Sequence, residues 1–363
     1  MTFAPRKHRK HVPAVAMEPV IDPAGWMPDE LAASDNWIYQ LSDTECFQIL
    51  DAVKRIEKQH IDIKKIQKSH FKLNGFDRAL SDIRDEFQNG RGFVLIRGLP
   101  VDDMTRVQSA IAFWGIGAHL GRAVSQNGKG HLLGHVKDVG GDYADQNTRG
   151  YLSNAAMGFH ADRCDYVALL CLQTSKTGGE SRIASSVSLY NKMLQERPDL
   201  VDELCKDFYW SRIGEIPPGL GPFYLMPVFS FDEGYICVRG VSTQIYKSQG
   251  MEGVPDYTDK QHEALDYFKA TVEKLAFDME FRKGDIQILH NHVILHSRRG
   301  FEDWGDLNKR RHLLRLWLRD ESGRPLMAEY KRAISGIKLE GVELNTPLDV
   351  VPPAYSMLFP KVY

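Results

Sequence analysis

Histidine and aspartate at positions 160 and 162 combine a neutral nitrogen donor with a carboxylate two residues apart. On extended backbone, residues i and i+2 point to the same side, so the two can share a metal ion. One nitrogen and one oxygen ligand, joined by a second histidine from far downstream, suit a catalytic ferrous ion that keeps coordination positions open. The stretch from His290 to His296 offers His290, His292 and His296. All three share one parity, so a single regular strand would aim them the same way, and the residues alone leave the choice among them open. Any of them could equally be a hydrogen-bonded core histidine. In Arg311-His312-Leu313-Leu314-Arg315-Leu316-Trp317-Leu318-Arg319, positions 314, 316 and 318 are all leucine. If those leucines pack outward beneath helices, Arg311 and Arg315 face the interior, where a guanidinium grips a carboxylate in bidentate fashion. The plain alternative is an internal salt bridge or an exposed strand face. A metal with open positions beside a carboxylate clamp implies oxygen chemistry driven by a keto acid.

The His-x-Asp pattern arises cheaply. It also occurs at His60-Ile61-Asp62, inside a charged stretch that reads as helix. Residues two apart on a helix do not face each other, so that copy reads as surface decoration. The copy at His160 follows Gly158-Phe159 and precedes the apolar run Tyr166–Leu172, a strand-like setting in which the side chains can converge.

The elements that must position these residues follow from periodicity and punctuation. Residues 1–35 read as irregular, and residues 43–90 as three charged helices, Thr44–Gln59, Ile63–His70 and Phe76–Phe87. Gly92–Gly98 reads as a buried strand. A helix capped by Asp102 or Asp103 follows, with Met104, Val107, Ile111 and Trp114 at helical spacing and Gly121 as its stop. Residues 122–150 are glycine-rich and read as a long loop or short strands edging a site. Residues 165–173 read as a strand, Ser185 or Ser186 as the cap of a helix to about Gln195, and Phe223–Phe231 with Tyr235–Val241 as a hairpin. Thr258 opens a capping box whose helix buries Leu265, Phe268, Val272 and Leu275. Residues 285–296 and 311–319 read as the last strands, and residues 320–363 as mostly irregular.

Helices early and strands late, with one helical insert, indicate an α+β chain with a mainly β core, an antiparallel barrel or sandwich and not a doubly wound sheet. The division expected is residues 1–90 as tail and helical wrap, residues 91–320 as the core, and residues 321–363 as an extension packed on it. The composition is that of an ordinary globular chain, 43% hydrophobic and 26% charged. Its 46 basic and 48 acidic residues leave a net charge of -2, which gives no reason to expect nucleic acid or a membrane as partner. The basic start, Arg6 to His11, reads as a solvated tail. Five cysteines without CxxC spacing fit a reducing, cytoplasmic setting.

These pieces resemble, in order, the taurine dioxygenase and clavaminate synthase-like family (TauD/TfdA) of Fe(II)/2-oxoglutarate dioxygenases. The resemblance spans roughly residues 90–320. It runs through the GFVLIRG strand, FHADRCD, Gly178-Gly179-Glu180-Ser181, Gly284-Asp285-Ile286, Asn291 with His296 five residues on, and the arginine pair. It implies a double-stranded β-helix, or jelly roll, with flanking helices. It implies Fe(II) ligation by His160, Asp162 and His296, with 2-oxoglutarate and O2 as cosubstrates. It further implies Arg311 and Ser181 at the distal carboxylate of 2-oxoglutarate and Arg315 at an anionic group on the substrate. His290 stands where the family often has Asp. The reaction implied is oxidation of an unactivated C–H bond, hydroxylation by default with desaturation or cyclisation open to a different substrate pose. The partner expected is a small-molecule substrate, anionic or amino-acid-like; a monomer and a homo-oligomer are both compatible with the sequence. Asn154, Tyr143, Gln146, Asn147, Arg239 and Tyr246 are further candidate substrate contacts. The competing readings are a zinc-dependent jelly-roll hydrolase or isomerase at the same triad, and a non-catalytic binding module. The zinc reading leaves Arg311 and Ser181 without a shared ligand, and the intact Asp162 and His296 speak against a degenerate, non-catalytic site.

Overall fold

Strand-forming runs from both halves of the chain build two main sheets that meet at the residues singled out above. The computed structural model describes residues 3–4, 10–140, 150–212, 215–337 and 339–350. Its larger sheet has seven strands. Their order is Ile38–Gln40, Phe93–Arg97, Ile286–His290, Tyr166–Gln173, His312–Arg319 and Arg122–Ala123, with Leu133–Val136 also paired to His312–Arg319. The smaller sheet runs Phe277–Met279, Ser181–Ser185, Ile294–Arg298, Met157–His160. Pairing is antiparallel throughout the smaller sheet, and in the larger one Ile38–Gln40 lies parallel to Phe93–Arg97.

Alternation sorts the larger sheet's two faces. Val94, Ile96, Leu170, Ile286, Ile288, Leu314, Leu316 and Leu318 pack under the helical layer. Phe93, Leu95, Val167, Leu289 and Trp317 belong to the core shared with the smaller sheet. Each such side chain contributes about 1.5–3 kcal/mol on burial. The helices of that layer are Asp43–Lys58, Phe76–Asn89 and Arg106–Leu120. Close approach is built in at Gly117, where a Cβ would lie 2.8 Å from Leu316 Cδ1. The leucines at 314, 316 and 318 thus face helices, which turns the odd positions of that strand inward.

Several local expectations change. The stretch expected as one strand over 285–296 is two, Ile286–His290 and Ile294–Arg298. Between them Val293 N–H donates to the His290 carbonyl at 3.2 Å, and Asn291 turns its amide onto residues 162 and 164. The chain therefore steps from one sheet to the other, which breaks the common parity of the three histidines. Thr105, with Gln108 completing a capping box, starts the Arg106–Leu120 helix; Asp102 and Asp103 belong to a preceding 3-10 turn. Ile63–His70 forms only the 3-10 turn Ile63–Lys65, because the Ile66 carbonyl is drawn away to the indole N–H of Trp114 at 3.1 Å. Phe223–Phe231 splits after Pro227. Phe223–Pro227 pairs with Asp207–Ser211, a strand the sequence reading missed, and Phe229–Asp232 pairs with Tyr235–Val238. Within residues 320–363 a short helix forms at Ala328–Ala333. His60 lies just beyond the end of its helix in a left-handed conformation, φ 50°, and Asp62 caps the following turn. Among the described residues, no helix is long and apolar enough to cross a membrane.

Candidate functional site

His160 ends the Met157–His160 strand, and His296 is its partner in register on Ile294–Arg298. Their rings lie 4.3 Å apart, centre to centre. Asp162 follows in the loop that leaves the strand. Its Oδ1 is 4.0 Å from His160 Nε2 and its Oδ2 is 3.9 Å from His296 Nε2. The three donor atoms all lie within 4.8 Å of one another. These separations exceed hydrogen-bond range, so the groups face a common space without filling it.

The surroundings set the state of each donor. His160 Nδ1 lies 2.9 Å from the Gly158 carbonyl, which only accepts; Nδ1 therefore carries a proton, and Nε2 is the nitrogen that faces the shared space. Burial alone would push the Asp162 carboxyl up, but Arg315, His296, His160 and the Trp317 indole N–H outweigh it and leave it at about 2. Burial, reinforced by His160 and Arg315, holds His296 down at about 3. Asp162 is therefore a carboxylate and His296 a neutral imidazole, the forms that ligate a divalent ion.

The loop carrying Asp162 is pinned from several sides. Its backbone N–H donates to Asn291 Oδ1 at 3.1 Å, and Asn291 Nδ2 donates to the Cys164 carbonyl at 3.2 Å. Arg239 Nη1 donates to the Ala161 carbonyl at 2.9 Å. Of the other downstream histidines, His290 packs edge-on against Tyr166, and His292 Nε2 is bonded to Asp165 Oδ1 at 2.8 Å. Neither reaches the space between His160, Asp162 and His296.

Arg311 and Arg315 both face inward. Arg311 Nη2 donates to the Gly179 carbonyl at 3.4 Å, while its buried Nη1 has no partner among the described residues. Burial lowers the Arg311 pKa, so this guanidinium is held where a carboxylate would relieve its desolvation. Gly179, at φ 76°, leaves room for it; a Cβ there would lie 3.1 Å from Arg311 Nε. Ser181 Oγ bonds the Gln287 amide at 3.1 Å. Arg315 stacks between Tyr151 and Trp317, with Nε donating to Gln126 Oε1 at 2.7 Å and Nη1 3.6 Å from Asp162 Oδ2. His160, Asp162, His296, Arg311, Arg315 and Ser181 line one partly open cavity, whose apolar wall includes Val167, Leu169, Leu313 and Phe281.

The softer candidates lie elsewhere. Asn154 is exposed and off the cavity lining, and its carbonyl accepts from Phe301 N–H at 3.1 Å. Arg239 is buried behind the Asp162 loop, and Tyr246 packs against Lys269. Tyr143, Gln146 and Asn147 fall outside the described residues, as does most of the basic start. Sequence reasoning missed four site residues. Arg298 lines the cavity and donates to the carbonyls of Ser153 and Ala155. Trp317 donates to Asp162 Oδ2 at 2.8 Å. Gln287 was detectable as a polar residue inside an otherwise apolar buried run, residues 286–289. Gln126, in a glycine-rich loop, carries no local signal.

Known proteins share this architecture. A model of the family described as taurine catabolism dioxygenase TauD, TfdA family matches residues 58–317. FR-33289 synthase of Streptomyces rubellomurinus is 29% identical over 327 residues, covering 85% of this chain and 93% of that protein. The taurine hydroxylase-like protein SAT17 of Stachybotrys chartarum is 27% identical, covering 83% and 80%. Asparagine oxygenase in complex with Fe(II), 2S,3S-3-hydroxyasparagine and succinate superposes with a TM-score of 0.58 at 19% identity, covering 78% of this chain and 93% of that one. The non-heme iron oxygenase OrfP in complex with Fe and alpha-ketoglutaric acid gives 0.56 at 16% identity, covering 78% and 94%. With the family match spanning most of the chain, this protein belongs to the TauD, TfdA family and is an Fe(II)/2-oxoglutarate-dependent dioxygenase.

Proposed function

We propose that His160, Asp162 and His296 are the protein ligands of the iron, that Arg311 with Ser181 receives the distal carboxylate of 2-oxoglutarate, and that Arg315 meets the anionic group of a small, amino-acid-like substrate that is hydroxylated. The observation that carries this is two imidazoles and an ionised carboxylate facing one space, beside a buried guanidinium nitrogen, Arg311 Nη1, that has no partner among the described residues. Bound Fe(II), with 2-oxoglutarate and O2, supplies the oxidant for an unactivated C–H bond while the keto acid leaves as succinate and carbon dioxide.

The chain's own residues do the rest. The backbone bond of Gly158 keeps His160 in its ligating tautomer. Arg311 and Ser181 orient the keto acid from the far end of the cavity, and the apolar wall excludes water from the reacting region. Two relatives point to the substrate class. Asparagine oxygenase is described with a hydroxyasparagine and OrfP with a hydroxyarginine, both amino acids. The architecture that goes with this reading is a jelly roll within residues 91–320, with residues 1–90 wrapping it and residues 321–363 packed on it.

The test is anaerobic titration of the metal-free protein with Fe(II) and then 2-oxoglutarate. A visible charge-transfer band is expected in the wild type and is lost in Asp162→Ala and His296→Ala. Retention of the band in both variants would overturn the ligand assignment. Mass-spectrometric screening of amino acids and small organic acids, with succinate as readout, then identifies the substrate.

A further inference from the structure

Asp162 has two oxygens, and the protein treats them differently. Oδ2 accepts from the Trp317 indole N–H at 2.8 Å and lies 3.6 Å from Arg315 Nη1. Oδ1 faces His160 Nε2 at 4.0 Å, beyond hydrogen-bond range, and receives no hydrogen bond among the described residues. Trp317 is 2% exposed. A buried indole N–H is a donor only and needs an acceptor, so rotating it away from Asp162 would leave it unsatisfied.

Arg315 is braced in turn. Gln126 Oε1 accepts from its Nε at 2.7 Å, and Gln126 Nε2 donates to the carbonyls of Leu132 at 2.9 Å and Arg315 at 2.8 Å. Flipping that amide would break all three bonds, so the guanidinium is fixed in rotation as well as place. The reach of Gln126 depends on Gly134, which pairs with Arg315 across the sheet; a Cβ there would sit 2.3 Å from Gln126 Oε1.

We infer that Trp317 is a positioning residue that, with Arg315 braced on Gln126, holds Oδ2 so that Asp162 presents a single oxygen to the metal. A carboxylate free to turn could offer both oxygens and take up a coordination position the keto acid needs. The inference rests on Asp162 being a metal ligand, as proposed above.

The test uses Co(II) as probe with the full-length protein. It compares wild type, Trp317→Phe, Gln126→Leu and Asp162→Ala by equilibrium metal binding, the Co(II) visible spectrum and thermal unfolding. Trp317→Phe keeps a ring but loses the donor. It is expected to weaken Co(II) binding by about 10–100-fold and to change the spectrum, while remaining folded. Gln126→Leu, outside the cavity lining, is expected to move both in the same direction by a smaller factor. Affinity within about twofold of wild type and an unchanged spectrum in both variants, with Asp162→Ala unable to bind, would overturn the inference and leave the ligand assignment standing. Wild-type binding by Asp162→Ala would overturn the assignment itself, and the inference with it. Should Trp317→Phe fail to fold, Gln126→Leu decides.

Discussion

Two His–Asp pairs lie in the same two segments of this chain, and they behave in opposite ways. His292 touches Asp165 directly, Nε2 to Oδ1 at 2.8 Å, and Asp165 also accepts from Arg319 Nη1 at 2.5 Å and Asp320 N–H at 2.9 Å. His296 stands 3.9 Å from Asp162, with no bond between them. Burial pulls His292 down, but Cys237 and Asp165 more than offset it and hold the ring at about 9, while His296 sits at about 3. In the first pair the two groups bond each other directly, and Asp165 spends its remaining capacity on Arg319 and the Asp320 backbone. The second is held apart, and the bonding capacity left over is what a cation can use. Burial and residue type are the same in both, so the separation of the partners distinguishes a structural clamp from a binding site.

The comparison is broken most directly by removing one carboxylate from each pair. Asp162→Ala is expected to reduce turnover on the order of 10³-fold or more and to lose metal binding while the protein stays folded. Steady-state succinate release and Co(II) titration check this. Asp165→Ala is expected to show the opposite profile, a loss of about 3–5 kcal/mol in urea unfolding, because His292 is left buried without its carboxylate.

Acid–base linkage sharpens the contrast. The folded value of His292 lies above its ordinary value of 6.5, so the folded state holds that proton more tightly than the unfolded chain. The contribution, up to roughly 3 kcal/mol, is fully present below about pH 6.5 and is lost as pH rises through about 9. Urea unfolding at about pH 6 and about pH 9.5 should show the loss in wild type and its absence in Asp165→Ala.

A smaller effect is expected at the cavity's far end. Arg311→Leu should weaken 2-oxoglutarate binding by roughly 10–100-fold, with metal affinity little changed, as read by titration of the metal-loaded protein. The smallest belongs to a residue outside both pairs. Asn154→Ala should leave activity within about twofold of wild type, since its side chain is exposed and off the cavity lining.

Much of the site was legible because it is written in short-range patterns. His160 and Asp162 are two residues apart, and the leucines at 314, 316 and 318 announce which face of their strand turns outward. The family spacing of Asn291 and His296 singled out one histidine of three. What stayed hidden depends on contacts between distant segments. Trp317 was visible in the pattern, but its bond to Asp162 spans 155 positions, and that of Gln126 to Arg315 spans 189. No local preference encodes either. The decoy at His60 was set aside on a helical reading, yet His60 lies beyond the helix end, so the conclusion stood on a local structure that does not form there.

The sequence by itself determined the ingredients: a histidine and a carboxylate on one side of extended backbone, an arginine-bearing strand with an apolar back, and the helices that cover it. It also determined the family, because the motifs recur in one order. Strand parity alone left three histidines equivalent, and it took the folded chain to show how one of them comes to face Asp162. The turn at Asn291–Val293 carries His290 into one sheet, His292 onto Asp165 and His296 into the other sheet beside His160. Spacing of two fixes direction only while the strand continues. Once the chain turns, side-chain direction is set by which sheet each half joins, and that is an outcome of packing.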